Sequence, residues 1–299
     1  MKTAIERALL SLDGLSVGDA FGEQFFGDPW ICGQRIVERD LPPGFWNWSD
    51  DTAMGCGIVR TLRKSGVIDQ DVIAEYFAAE YASDPRRKYG GMAREILTQI
   101  GHGVSWRKAA SEAFDGTGSY GNGAAMRAGP VGAYFSDDLA LAAEQAALSA
   151  VVTHSHEEGV AGAIAVAVAA AWAFRNREVE CDSRELLAEV ISMLPQSAVR
   201  KGLQKAMELG FDRQPALVAA VLGSGSKVSA QDTVPFALWC AAKCRHDFGE
   251  AMWTTAAGFG DVDTTCAIVG SIVGLSCKAL PEAFLSHREP LPMDITEEI

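Results

Sequence analysis

The sequence predicts an all-α protein, a single compact orthogonal helical bundle over residues 1–299, and three observations carry that prediction. Apolar residues recur three and four apart along most of the chain, while alternating strand-like runs are nearly absent. Alanine is heavily used in the middle third, where it raises helix propensity and lets helices approach closely. Apolar residues make up 48% of the 299, enough for a substantial core at the upper end of what one core organises.

Taken in order, Ile5, Leu9 and Leu12 mark a first helix. Met54, Ile58 and Leu62 mark a second, which starts just after the Asp50-Asp51 pair. Val72, Tyr76 or Phe77, and Tyr81 define a third; Ile96, Leu97 and Ile100 sit in a fourth. Further helical patterns run over about 138–152, 159–174, 183–194, 198–209, 215–222, 233–244 and 265–280. The stretch 159–174 is uncharged for 16 residues, too short for a membrane span and suited to a helix buried in a bundle. Segments 22–44 and 114–132 carry Gly, Pro and aromatics without a period and read as loops. Loops of that length in a helical domain are usually functional or mobile. No compositional break marks a linker, and no repeat of solenoid period occurs.

A net charge of −13 argues against a nonspecific nucleic-acid binder, whose footprint is normally basic. It leaves room for an anionic small ligand, because backbone N–H groups and bound cations can neutralise phosphates locally. The opening residues look like a helix start rather than a secretory signal, so a cytoplasmic location is expected, with no membrane partner. The seven cysteines form no CxxC pair and read as reduced thiols rather than a disulfide framework or a zinc site.

Two acidic motifs lie more than 200 residues apart: Ser49-Asp50-Asp51-Thr52 and Gly260-Asp261-Val262-Asp263-Thr264-Thr265. Each puts two carboxylates beside hydroxyls at the head of an apolar helical stretch. Helix capping is the plain explanation of either one. Two of them, each with more carboxylates than a cap can use, also suit one or two hard divalent cations, if they meet in space. Metal-assisted hydrolysis would follow.

The segment Gly116-Thr117-Gly118-Ser119-Tyr120-Gly121-Asn122-Gly123 has four glycines in eight residues. It is either a flexible surface loop or a backbone nest for an anion, with Ser119 and the adjoining amides near phosphate and Tyr120 as a stacking face. Thr153-His154-Ser155-His156 could suggest zinc, yet further soft ligands are lacking, and histidines that cap a helix or orient a ligand are the better reading. Glu23 follows Gly18-Asp19-Ala20-Phe21-Gly22 in an expected loop and means little alone.

In this order, Gly18-Asp19-Ala20, Trp48-Ser49-Asp50-Asp51-Thr52, Gly121-Asn122-Gly123-Ala124-Ala125-Met126-Arg127, Thr153-His154 and Gly260-Asp261-Val262-Asp263-Thr264 resemble the ADP-ribosylglycohydrolase family, which includes the dinitrogenase-reductase-activating glycohydrolases. The resemblance extends to about Gly274. It implies an all-helical fold with a binuclear Mg²⁺ cleft (Mn²⁺ being the alternative ion) and hydrolysis of the bond between ADP-ribose and an acceptor, a protein side chain or a small molecule. Carried over, Ser49, Asp50, Asp51, Asp261, Asp263 and Thr264 hold the metals. Gly118, Ser119, Tyr120, Gly121 and Asn122 hold the ligand, and His154 matches a ligand-contacting histidine. ADP-ribose or an ADP-ribosylated protein is the implied partner.

One departure stands out. Several family members carry a glutamate seven residues after the aspartate of the Gly-Asp-Ala-type motif. Here Phe26 occupies that position and Glu23 is the nearest acid. Either Glu23 takes the acid/base role, or a metal-site carboxylate, Asp51 or Asp263, does. The rival from another class is a non-catalytic ADP-ribose-binding or structural relative of the family. Phe45-Trp46-Asn47-Trp48 either lines an acceptor pocket or belongs to the core.

Overall fold

The computed structural model describes residues 2–296. Among them there is no strand, only isolated β-bridges joining Trp46 to Arg288 and Gly121 to Ser229. Helix α1 (Ala4–Gly22) opens on a capping box: Thr3 Oγ1 accepts from the Glu6 amide at 3.3 Å, and the Glu6 carboxylate accepts from the Thr3 amide at 2.5 Å. The segment expected as a loop over 22–44 holds a 3₁₀ turn, Glu23–Phe25, and helix α2 (Pro29–Glu38). Asp28 caps α2 by accepting from Trp30 N at 2.8 Å, and Pro29 begins it.

The chain continues through α3 (Asp50–Ser65), α4 (Gln70–Ser83), α5 (Gly91–Gly101) and α6 (Trp106–Gly116). Near its end α6 breaks: Phe114 and Asp115 take left-handed φ of 52° and 55°. The second expected loop, 114–132, is shortened by two small helices, α7 (Gly123–Met126) and α8 (Gly129–Tyr134). Then come α9 (Leu139–Val151), α10 (Glu157–Arg175), α11 (Ser183–Met193), α12 (Ala198–Leu209) and α13 (Pro215–Leu222). The last long helices are α14 (Ala230–Lys243), α15 (Phe248–Ala256) and α16 (Val262–Val273), followed by the single turns α17 (Glu282–Leu285) and α18 (Met293–Thr296).

One contiguous apolar cluster links most of these elements. Helix α10, which extends the uncharged stretch at both ends, has the length and composition of a membrane span, but 78% of its most apolar window is buried inside the protein. It packs against α7, α8, α9 and α14. All seven cysteines are free, and Cys32, Cys56, Cys240, Cys244 and Cys266 are buried.

The α1–α16 contact positions the site. Gly14, Gly18 and Gly22 form a stripe one turn apart on α1, facing α16. A Cβ at Gly18 would lie 2.1 Å from the Cys266 carbonyl oxygen, and one at Gly14 would lie 2.2 Å from that of Gly270. The two backbones therefore touch, as only glycine permits. That contact sets Asp19, on the last turn of α1, beside Asp263, on the first turn of α16.

Candidate metal centre and ligand cleft

The two acidic motifs meet. Asp51, at the start of α3, and Asp263, at the start of α16, converge with Asp19: one carboxylate oxygen from each lies within 4.8 Å of the other two, and all three residues are buried. Capping accounts for little of this charge. Ser49 caps α3 through its hydroxyl, leaving Asp50 and Asp51 unused for that purpose, and Asp261 makes no side-chain cap to α16. Its carboxylate instead accepts from Asn122 Nδ2 at 2.7 Å.

Hydroxyls from both motifs converge on Asp51 Oδ2, with Ser49 Oγ at 3.0 Å and Thr264 Oγ1 at 3.4 Å. Asp51 Oδ1 is buried with no partner. Asp19 fixes the turn into α3: it accepts from the amides of Ser49 and Thr52, each at about 3 Å, and from Thr52 Oγ1 at 2.6 Å. Sequence reasoning passed over Asp19, because its partners lie 30 and more residues away.

Burial, and then like charge from neighbouring carboxylates, raises these acids. Asp50 is pushed up to about 8, and Asp51 and Asp263 also lie well above the ordinary range. Asp19 is pushed up to about 6 by burial against the opposing hydrogen bonds from Thr52 and Ser49. Asp261 is raised by burial and held back by Asn122. Carboxylates crowded in this way need either protons or a cation. An oxygen-only acidic donor set with an unsatisfied buried oxygen fits a hard divalent ion.

Glu23 lies at the edge of the cluster, not on an open loop. Its largely buried side chain pairs with Lys88, its Oε1 has no partner, and its carboxylate is among the groups that raise Asp263. Phe26 is 49% exposed, with the Lys88 ammonium over its ring, and stays outside the cluster.

Asp50, Asp261, Asp263 and Thr264 form one side of a cleft of about 490 Å³, and Ser119, Tyr120, Gly121, Asn122 and His154 line it as well. The glycine segment is a fixed turn. Gly118 has φ +76°, and a Cβ there would lie 2.3 Å from Ser155 Oγ. Ser119 is buried and its Oγ accepts from Gly121 N at 3.2 Å. Asn122 ties this turn to the acidic cluster, donating to Thr233 Oγ1 at 3.0 Å as well as to Asp261. Tyr120 is exposed and stacks on Phe114, with centroids 5.9 Å apart. Phe114 was not anticipated, since only the left-handed break in α6 turns it toward the cleft mouth.

The two histidines part company. His154 lines the cleft, while His156 caps α10 by accepting from Glu158 N at 3.1 Å, so they do not form a zinc pair. Trp46 is core, its indole N–H donating to the Pro42 carbonyl, and Phe45 is exposed. Trp48 lines a small separate cavity beside Glu23, Ser49 and Arg87. A larger cavity, about 1100 Å³, is bordered by Leu10, Phe174 and Phe248 and uses no residue of these motifs.

The ADP-ribosylglycohydrolase family model covers residues 1–298. Human ADP-ribosylhydrolase ARH3 is 28% identical over 262 residues, which is 76% of this chain and 70% of that protein. ADP-ribosyl-[dinitrogen reductase] glycohydrolase of Rhodospirillum rubrum is 33% identical over 133 residues, 42% of this chain and 43% of its own. A solved structure described as an ADP-ribosylglycohydrolase-related protein complex superposes with a TM-score of 0.66 at 26% identity, covering 97% of this chain and 94% of that one. The chain belongs to the ADP-ribosylglycohydrolase family and is an ADP-ribosyl glycohydrolase, an enzyme that hydrolyses ADP-ribose linkages.

Proposed function

We propose that this enzyme is a Mg²⁺-dependent hydrolase cleaving the glycosidic bond between ADP-ribose and an acceptor, either a protein side chain or a small molecule. The observation that carries the reading is the pairing of a buried carboxylate cluster with a glycine-rich turn across one cleft. Asp50, Asp51, Asp261 and Asp263, supported by Ser49 and Thr264, hold two divalent ions, Mg²⁺ or Mn²⁺. Asp19 braces the turn that presents Asp51. Ions bound there supply Lewis-acid polarisation and a bound water of lowered pKa.

The chain's own groups do the rest. Amides of the Gly118 to Gly121 turn and the Ser119 hydroxyl receive the diphosphate, and Tyr120 with Phe114 presents an aromatic face to the adenine. His154 donates to a ligand oxygen. As the bond to the anomeric carbon breaks, positive charge builds on the ribose, and the surrounding carboxylates stabilise it. Glu23 is within reach of the cluster's edge and serves as the acid/base, taking the proton of the attacking water or returning one to the leaving group.

Calorimetric titration of ADP-ribose into the protein tests this reading directly. Binding with Mg²⁺ that vanishes in EDTA is the expected result. Affinity unchanged by EDTA, or no binding in either condition, overturns it.

A further inference from the structure

We propose that Arg127 and Thr153 are positioning residues that lock His154 as the Nε2–H tautomer, so the cleft meets its ligand with a neutral N–H donor. That the ligand oxygen belongs to ADP-ribose rests on the function proposed above. The tautomer does not.

The argument is one of hydrogen-bond valence. Arg127, between α7 and α8, is fully buried and makes no ion pair among the described residues. Its Nη2 donates to the Ser149 carbonyl at 3.1 Å and to Thr153 Oγ1 at 2.8 Å. Nη1 faces Met54 Sδ at 3.6 Å, and the guanidinium lies 4.3 Å over the Phe77 ring. A guanidinium has only donors, so the direction of the Arg127–Thr153 bond is fixed and Thr153 accepts.

Thr153 is itself fully buried, and its hydroxyl proton needs an acceptor. Among the described residues, Oγ1 has two hydrogen-bonding neighbours: Arg127 Nη2, which cannot accept, and His154 Nδ1 at 2.7 Å. Thr153 therefore donates to Nδ1. A neutral imidazole that accepts at Nδ1 carries its proton on Nε2. The reverse arrangement, Nδ1–H donating to Thr153, would strand the hydroxyl proton in the interior.

Nε2 is the atom that faces the ligand side. It makes no hydrogen bond among the described residues, and the ring lines the cleft. Gly121 and Gly123 leave room for it: a Cβ would come within 3.1 Å and 3.0 Å of Nε2 at these two positions. The backbone beneath is pinned, with the amides of Thr153 and His154 both donating to the Ala150 carbonyl. Burial, and then the Arg127 charge, hold the ring neutral, its pKa pushed down to about 3. Such a donor suits a phosphate or ribose oxygen and disfavours a ligand N–H at the same point. Being neutral, it also forms no ion pair with the nearby carboxylates.

The test is long-range ¹H–¹⁵N correlation on protein labelled at its five histidines, in Mg²⁺, read beside ADP-ribose affinity. The wild-type His154 resonance should show the Nε2–H pattern. Thr153→Val, equal in shape but without the hydroxyl, should give mixed tautomers and weaken ADP-ribose binding about tenfold. Thr153→Ser should restore both. A wild-type Nδ1–H pattern overturns the proposal, even if the valine variant does not fold. So does a folded valine variant with an unchanged pattern. A wild-type Nε2–H pattern in protein that fails to bind ADP-ribose upholds the tautomer and removes the proposed ligand.

Discussion

At the residue scale, Glu23 occupies a place that its sequence context does not advertise. Phe26, at the position where several relatives carry a glutamate, points outward, whereas Glu23 adjoins Asp263 and Lys88. Glu23→Gln should lower kcat by about 10²–10⁴-fold while ADP-ribose affinity changes less than about threefold. An unchanged kcat removes Glu23 from the chemistry and returns the acid/base role to Asp51 or Asp263. Asp263→Asn separates the site from the scaffold in a different way. The change is nearly isosteric and removes both a metal-binding carboxylate and an acid that the metal-free native state must keep protonated, so metal-dependent turnover should disappear. In EDTA, the variant should melt at least about 2 °C above wild type. Full activity in this variant would take the second motif out of the site. Both acidic motifs and the glycine turn were legible in the sequence because each is short, local and chemically unusual. Asp19, Phe114 and Lys88 were not, since each matters only through partners that folding brings from distant positions.

At the scale of elements, the glycine stripe on α1 decides whether the site assembles. Gly14, Gly18 and Gly22 let α1 touch α16 along its length. Gly18→Ala puts a methyl group into the Cys266 carbonyl, one residue from Asp19, and should cost about 1–3 kcal/mol of stability. Metal affinity should fall with it, because the same shift parts Asp19 from Asp263. Gly14→Ala meets an equally close carbonyl a full turn farther from the carboxylates, so it should cost similar stability with a smaller loss of affinity. Chemical denaturation and metal titration of the two variants check this; equal losses of affinity would show that the stripe does not set the site. The spacing of these glycines was readable, but what they face was not. Periodicity also located most long helices and blurred their ends. The stretch expected over 265–280 is α16, Val262–Val273, which starts earlier because Asp263 and Thr264 belong to its first turn. Helix α2 went unread although Asp28-Pro29 is a sound start signal. Its exposed Trp30, Ile31 and Val37 blur the amphipathic pattern.

For the molecule as a whole, the acidic cluster should make stability depend on pH and cation together. In metal-free protein, Asp50 is raised from 3.8 to about 8 and Asp19 from 3.8 to about 6, with Asp51, Asp261 and Asp263 raised as well. Above the ordinary carboxylate range the unfolded chain has lost these protons while the native state keeps them. The native state thus binds more protons, and stability falls as pH rises through the raised values. His154 works in the opposite sense: held down to about 3, it contributes stability above its ordinary 6.5 that is lost on acidification. The window from pH 6.5 to 8.5 therefore lies above the His154 transition and spans the carboxylates; the buried thiols of Cys56, Cys240 and Cys266, raised by burial, add a fall near its upper end that Mg²⁺ does not remove. In EDTA the melting temperature should drop steadily across this window. With saturating Mg²⁺ the ions replace the protons, binding releases them, and the drop should flatten. The Mg²⁺-induced rise in melting temperature should then be larger at pH 8.5 than at pH 6.5. A rise of equal size at both ends would mean that the crowded carboxylates do not exchange protons for the cation, and an absent rise would mean that they do not hold it.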